Sequence, residues 1–94
     1  MTDPGYEIYE TEQFQADLKV LARAGQARLI KKLRTIVYPQ LQSRPHFGPN
    51  IRKLAEYTPD TWRFRIGAWR FFYEIDEENR RVWLIAAAHR GVAY

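Results

Sequence analysis

The strongest constraint on the fold is a tight hairpin pattern in the second half of the chain. Two runs of alternating side chains, Trp62–Ile66 and Trp69–Ile75, are separated only by Gly67 and Ala68. A period of two is typical of a β-strand, and glycine at the first of two central positions is typical of a type II′ turn. Because a two-residue loop fixes which residues face each other, the pattern predicts the register as well as the strands.

This register sorts the hairpin side chains onto two faces of a sheet. One face is predicted to form a core against helices, with Trp62, Phe64, Ile66, Trp69, Phe71, Tyr73 and Ile75. The other face receives Arg63, Arg65, Arg70 and Phe72. Like charges opposed on a sheet cost a few tenths to ~1 kcal/mol, so Arg65 facing Arg70 favours a binding role for this face over a structural one. We expect it to hold phosphates and stack a base.

A third strand-like run, Arg81–Ala88, follows a polar turn. If Val82 pairs with Ile75, strict alternation places Val82, Leu84, Ala86 and Ala88 in the core. Ala87 would then lie opposite Arg70, and His89 would follow on the arginine face.

The first half of the chain predicts one strand and two helices. Tyr6–Glu10 alternates like a strand, Thr11 is a suitable N-cap, and Gly25 is a natural stop for the helix between them. The apolar positions of that helix are Phe14, Leu18 and Leu21. A second helix is predicted from Gln26, and Pro39 should end or kink it. Its apolar stripe contains Leu29, Ile30, Leu33, Ile36 and Val37.

The element order predicts an α+β fold in one domain over residues 1–94. It comprises an N-terminal strand, an αα-hairpin and then a three-stranded antiparallel meander, with the helices packed on one sheet face. The chain contains no run of 18 apolar residues and no secretory leader, so we expect a cytoplasmic protein without a membrane span. With no cysteine and two histidines, a disulfide framework and a closed zinc site are excluded.

Charge is strongly segregated along the chain. The formal net charge is +4, but residues 18–73 contain twelve basic and two acidic residues, and residues 1–17 contain five acidic residues and no basic one. Eleven of the fifteen basic residues are arginine, the side chain suited to bidentate contact with phosphate. A basic middle segment indicates an anionic partner, nucleic acid first, although a solvated basic surface explains the charge alone equally well.

In the hairpin and in the segments before and after it, the chain resembles the RelE/ParE toxin superfamily of bacterial toxin–antitoxin modules. The resemblance rests on three segments in order: Ile51–Leu54, Trp62–Asp76 and Ala88–Tyr94. They carry a leucine after basic residues, an aromatic-basic-x-Arg-hydrophobic-Gly hairpin with an aromatic-Arg on its second strand, and a last strand running into an arginine and a terminal tyrosine. The resemblance implies a toxin that needs no cofactor or metal and is held inactive in a hetero-oligomer by a cognate antitoxin, expected to be small and acidic.

In the RelE branch, the resemblance implies a ribosome-dependent endonuclease that cleaves mRNA by attack of a ribose 2′-OH on the adjacent phosphate. The catalytic residues carried over from the family are Arg63, Arg65, Arg70, Arg90 and Tyr94, and the predicted position of His89 adds it to this catalytic set. The expected RNA-binding set is Lys31, Lys32, Arg34, Arg52, Lys53 and Phe72. Because a guanidinium is not deprotonated at neutral pH, the general base would be His89, Tyr94 or no protein group.

In the ParE branch, the target implied is DNA gyrase, and no RNA-cleaving residues are needed. We favour the RelE-type endonuclease, because His89 and Tyr94 are expected near the arginines, and we keep the gyrase inhibitor as the alternative.

Overall fold

The computed structural model describes residues 5–90 and contains a five-stranded mixed sheet with helices on one face. In chain order the elements are β1 (Glu7–Glu10), α1 (Glu12–Arg23), α2 (Ala27–Lys32), a π-helical turn (Leu33–Val37), α3 (Tyr38–Ser43), β2 (Ile51–Lys53), β3 (Trp62–Ile66), β4 (Trp69–Asp76) and β5 (Arg81–His89). The strand order is β1-β5-β4-β3-β2, with β1 parallel to β5 and the other pairs antiparallel. The predicted α+β class is confirmed. None of the helices within residues 5–90 is long and apolar enough to span a membrane.

The predicted hairpin register is confirmed. Ile66 pairs with Trp69, Arg65 with Arg70 and Arg63 with Phe72. The turn between β3 and β4 depends on Gly67, whose φ of 55° is a conformation that a side chain disfavours. The register therefore divides the apolar and basic side chains of β3 and β4 as the alternation predicted.

The prediction for the end of β5 is wrong by one residue, because the strand contains a β-bulge. Phe72 pairs with Ala86, but the next residue of β4, Tyr73, pairs with Leu84, so Ile85 has no partner on β4. An extra residue in one strand inverts the alternation beyond it. Ala87 therefore packs against the helix-side core, whereas Ala86 and Ala88 lie on the opposite face.

The N-terminal prediction is confirmed in its main features. Thr11 caps α1 by accepting a hydrogen bond from the Phe14 N–H at 3.2 Å. The three predicted core positions of α1 are all buried, and they pack against a sheet core that includes Phe64, Phe71 and Tyr73. The predicted strand before α1 is present as β1.

The prediction allowed an end or a kink of the second helix at Pro39, and the helical path does not end there. The π-helical turn lets the Tyr38 N–H bond to the carbonyl of Leu33, five residues earlier, and the chain continues directly into α3. Proline occupies the first turn of α3, where its missing N–H costs little. The wider turn also changes the helix phase, so Ile36 is 54% exposed and does not join the core stripe.

A short edge strand was absent from the prediction. β2 has three residues, only one of them strongly apolar, so it carries too little alternation to be recognised. It pairs with β3 so that Arg52 lies directly opposite Arg63. This strand brings a further arginine onto the face that already holds Arg63, Arg65 and Arg70.

The loop that leads from α3 toward β2 is anchored to the core by a buried tyrosine. Tyr73 has no exposed surface, and its hydroxyl donates to the carbonyl of Pro45 at 2.6 Å. A buried hydroxyl of this kind needs its partner, because an unsatisfied polar group in the core is costly. Burial also raises the pKa of Tyr73 above the ordinary value.

Replacing Tyr73 with Phe should lower the free energy of unfolding by about 1 kcal/mol at pH 7, because the Pro45 carbonyl loses its donor. Since the folded-state pKa of Tyr73 is raised, the stability it contributes is complete below the unfolded pKa of about 10 and is lost as the pH rises above it. The loss reaches ~1.4 kcal/mol at pH 11. Urea unfolding of both proteins should therefore show the wild type as the more stable at pH 7, with this difference abolished or slightly reversed at pH 11; a constant difference would contradict the assignment.

The part of β5 that lies beyond the end of β1 is completed by a side chain of α1. The carboxylate of Asp17 accepts a hydrogen bond from the Ala87 N–H at 2.9 Å. This contact satisfies a strand N–H that lies beyond the last pair of β1 and β5, Glu10 with Leu84.

Replacing Asp17 with Ala should lower the free energy of unfolding by about 1.5 kcal/mol, because a backbone N–H beside the bulge loses a charged acceptor. Gln15→Ala, an exposed position on the same helix, is the control and should change stability by less than about 0.5 kcal/mol. Equilibrium denaturation compares the two. Equal effects would show that the Asp17–Ala87 bond contributes nothing specific.

Candidate anion-binding site

Four arginines from three strands lie on the sheet face opposite the helices. Arg52 of β2 pairs with Arg63 of β3, and Arg65 of β3 pairs with Arg70 of β4. Residues paired across neighbouring strands share a face, and positions two apart on one strand do so as well. We call Arg52, Arg63, Arg65 and Arg70 the arginine cluster.

Three members of the cluster line a cleft of about 290 Å³, together with Lys53, Leu54 and Ala55. None of the four arginines forms an ion pair with a carboxylate among residues 5–90. The Nε of Arg63 is buried and has no hydrogen-bond partner there. Burial lowers the pKa of Arg63, and the charges of Arg70, Arg52 and Arg65 lower it further. The cluster thus concentrates positive charge that the described chain does not neutralise.

Arg65 differs from the other three arginines in its contacts. Its Nε donates to the carbonyl of Gly67 at 3.1 Å. Arg65 does not line the 290 Å³ cleft, but it does line a second, smaller one at the edge of the sheet.

The chemistry available to the cluster is electrostatic. Guanidinium groups donate planar pairs of hydrogen bonds that match phosphate, and preorganised charges of this kind stabilise negative charge that develops in a phosphoryl-transfer transition state. They do not act as bases, because they stay protonated at neutral pH.

The bulge in β5 moves His89 away from the face on which it was expected. His89 pairs with Trp69, whose side chain points to the helix side, and the two rings meet edge to face at 5.0 Å. Its Nδ1 lies 2.8 Å from the carbonyl oxygen of Arg90. Ala88, not Ala87, lies opposite Arg70. The predicted grouping of His89 with the arginines is therefore wrong.

Phe72 lies on the predicted face but is only 4% exposed. The expectation that it offers a surface for stacking a base is also wrong, because a ring this buried has no open face. It pairs across the sheet with the small side chain of Ala86.

Arg90 is placed beside the hairpin turn. Its backbone N–H donates to the carbonyl of Ala68 at 2.6 Å, and its side chain is exposed. Tyr94, the last member of the predicted catalytic set, lies outside the described residues.

The predicted RNA-binding lysines and Arg34 occupy different places. Lys31, Lys32 and Arg34 are all exposed on the helical layer, but Arg34 lines a separate cleft with residues of α1 and β1. Lys32 lines the smaller cleft that it shares with Arg65. Lys53 Nζ forms an ion pair with Asp60 at 3.1 Å. Of these residues, the structure thus associates Lys32 with Arg65 and Lys53 with the 290 Å³ cleft.

Leu54 and Ala55 were not predicted as site residues, although both line the 290 Å³ cleft. The one sequence feature that could have indicated a role for them in the site is their position directly after Arg52 and Lys53. Small and apolar side chains leave space beside the guanidinium groups, and no pattern in the sequence marks that role.

A comparison with known protein families identifies the family of this chain. The family described as "ParE toxin of type II toxin-antitoxin system, parDE" matches residues 8–94. The chain belongs to this toxin family. A comparison with curated proteins finds no match.

Solved structures share the toxin fold at low sequence identity. A RelE–RelB complex from Pyrococcus horikoshii is 21% identical, with a TM-score of 0.66 over 95% of this chain and 99% of that one. The toxin–antitoxin complex RelBE2 from Mycobacterium tuberculosis is 22% identical, with a TM-score of 0.68 over 92% and 99%. A YoeB/ParE toxin from Agrobacterium tumefaciens is 19% identical, with a TM-score of 0.72 over 89% and 98%. The toxin therefore has the fold of the RelE/ParE superfamily.

Replacing Arg70 with Thr should raise the free energy of unfolding by about 0.5 kcal/mol at low salt, because it removes a like charge opposite Arg65. The gain should fall in high salt, where the charges are screened. Arg81→Thr is the matched control: Arg81 lies opposite Asp76 and over the Tyr9 ring at 5.2 Å, so the same substitution there should destabilise the toxin. Urea unfolding at two salt concentrations measures both, and loss of stability in Arg70→Thr would refute repulsion within the cluster.

Proposed function

We propose that this toxin is a ribosome-dependent, metal-independent mRNA endonuclease and that the arginine cluster binds the scissile phosphate. The observation that carries the proposal is the charge of Arg52, Arg63 and Arg70 around one cleft, which no carboxylate within residues 5–90 neutralises. Natural sheets rarely keep like charges opposed without a reason, and an anionic substrate supplies one. The RelE-like fold supports RNA as that substrate.

In the proposed reaction, the 2′-oxygen of a ribose attacks the adjacent phosphorus. The bond from phosphorus to the 5′-oxygen of the next nucleotide breaks, which gives a 2′,3′-cyclic phosphate and a 5′-hydroxyl end. Negative charge builds on the non-bridging oxygens in the transition state, and Arg63 and Arg70 would stabilise it. The proton of the 2′-hydroxyl goes to solvent, and the leaving oxygen takes one from solvent.

This proposal gives no proton-transfer role to the arginine cluster. His89 pairs with Trp69, on the other side of the sheet from Arg70. Catalysis would therefore come from charge stabilisation and from holding the 2′-oxygen in line with the scissile bond.

We further propose that an acidic antitoxin inhibits the toxin by covering the arginine cluster in a hetero-oligomer. Two of the three solved structures compared above are toxin–antitoxin complexes, one of them with RelB. Carboxylates of such a partner would supply the ion pairs that the cluster lacks within residues 5–90.

Arg63→Ala and Arg70→Ala should each lower the rate of mRNA cleavage on ribosomes by about 10²–10³-fold, the usual effect of removing one transition-state donor. Arg23→Ala removes the same charge from an exposed position at the end of α1 and should leave the rate unchanged. His89→Ala should change it by less than about 5-fold, as for a group that takes no part in proton transfer. Primer extension on ribosome-bound mRNA with purified toxin measures the rates.

Two results would contradict the proposal. Intact mRNA on ribosomes treated with wild-type toxin would exclude the nuclease. A loss in His89→Ala equal to that in Arg70→Ala would mean that proton transfer by His89 is essential.

A second function, inhibition of DNA gyrase, is favoured by one observation: the family that matches residues 8–94 is the ParE toxin family. The cluster would then make contacts only, so Arg63→Lys and His89→Ala should be nearly silent. A supercoiling assay with purified gyrase, run beside the primer-extension assay, separates the two functions.

A further inference from the structure

A second basic cleft lies at the edge of the sheet, where the helical layer meets β2 and β3. It has a volume of about 220 Å³, or roughly seven water volumes. Its polar lining consists of Lys32, Gln40, Asn50 and Arg65, and its apolar lining includes Ile36 and Ile66. We call it the edge cleft. We propose that the edge cleft binds one nucleotide of a single-stranded RNA whose neighbouring phosphate occupies the arginine cluster, and that it reads the base of that nucleotide.

The polar groups of the edge cleft have unused hydrogen-bonding capacity. The side chains of Lys32, Gln40 and Asn50 make no hydrogen bond or ion pair with residues 5–90. Arg65 lines this cleft and uses its Nε on the Gly67 carbonyl, and its two terminal nitrogens make no hydrogen bond or ion pair with residues 5–90. The cleft therefore offers two cations and two amides to a ligand.

The position of Gln40 depends on the glycine opposite it. A Cβ built at Gly48 would lie only 2.3 Å from the Nε2 of Gln40. Any larger residue would displace the amide. Gly48 thus provides the space that the Gln40 amide occupies at the wall of the cleft.

The apolar wall accounts for an otherwise unexplained exposed side chain. Ile36 is 54% exposed, because the π-helical turn rotates it out of the core stripe and toward the edge cleft. Pockets for small ligands are lined by apolar groups with a few convergent polar ones, and this cleft has that composition.

A nucleotide matches this arrangement in charge, shape and position. Lys32 and Arg65 would bind its phosphate, Ile36 would contact the base, and the amides of Gln40 and Asn50 would bond to the base edge, since amide side chains pair well with base edges that carry both a donor and an acceptor. Arg63 lines the 290 Å³ cleft and Arg65 lines the edge cleft, and these two residues are two positions apart on β3, or about 6.7 Å along the strand. That spacing suits consecutive phosphates of one strand. The inference rests on the proposed function in taking RNA as the substrate and the arginine cluster as the site of a neighbouring phosphate.

The test measures equilibrium binding of short single-stranded oligoribonucleotides by fluorescence anisotropy at low salt. All riboses carry 2′-O-methyl groups to prevent cleavage, and four oligonucleotides differ in a single base. The toxin should prefer one base by about 10-fold, the usual size of a side-chain–base pair. Gln40→Ala and Asn50→Ala should each reduce this preference, whereas Lys32→Ala should weaken binding of all four oligonucleotides equally.

Gln42→Ala, an exposed glutamine on the same helix, is the matched control and should bind as the wild type does. Gly48→Ala should reproduce the effect of Gln40→Ala, because it displaces the same amide. Thermal unfolding of each variant checks that the fold is intact. If Gln40→Ala does not fold, Gln40→Glu replaces the amide with a side chain of the same size as glutamine and serves as the second variant.

Equal affinity of the wild type for all four oligonucleotides, or an unchanged preference in Gln40→Ala and Asn50→Ala, would overturn the inference. A variant that loses affinity only for an acidic protein partner would overturn it too, by making the cleft a protein contact. A different result would reject the proposed nuclease and keep the inference: mRNA stays intact on ribosomes, while base-selective binding of oligonucleotides persists. If Arg70→Ala abolishes cleavage but the edge-cleft variants cut mRNA at the same positions as the wild type, the nuclease proposal holds. The proposed base-reading role of the edge cleft is then wrong.

Discussion

The architecture of the site depends on a two-residue turn. Gly67 adopts a φ of 55°, which allows β3 and β4 to reverse within two residues. A turn this short leaves no freedom in register, so Arg65 must face Arg70. The repulsion between them is built into the hairpin. The folded chain tolerates it because the other face of the same strands buries Phe64, Phe71 and Tyr73, which supply far more stabilisation than the arginines cost.

Much of the fold could be predicted from the sequence wherever local chemistry and periodicity agree. The hairpin, the Thr11 cap and the core positions of α1 are of this kind. The rest depends on backbone irregularities that side-chain patterns do not encode. Three successive alanines, 86–88, carry no face preference and conceal the bulge. A π-helical turn before Pro39 was equally hidden, because proline normally marks the end of a helix.

The candidate site shows the same division. Arg63, Arg65 and Arg70 could be placed from the hairpin alone, because one turn determines all three. Arg52 was recognised as basic and RNA-binding, but its place opposite Arg63 requires a three-residue strand that has no pattern of its own. His89 was misplaced because an error of one residue inverts the face.

The bulge at Ile85 has a consequence for how this chain could change over evolutionary time. Deleting any one of the alanines 86–88 leaves a chemically identical strand that is one residue shorter. Strict alternation would then return, and the imidazole now at position 89 would still face Trp69, because the shorter strand would pair residue for residue with β4. Loss of the bulge at the present strand length would instead carry that imidazole to the side of Arg70. The bulge and the three alanines therefore act together to keep a titratable group off a surface that acts through fixed charge.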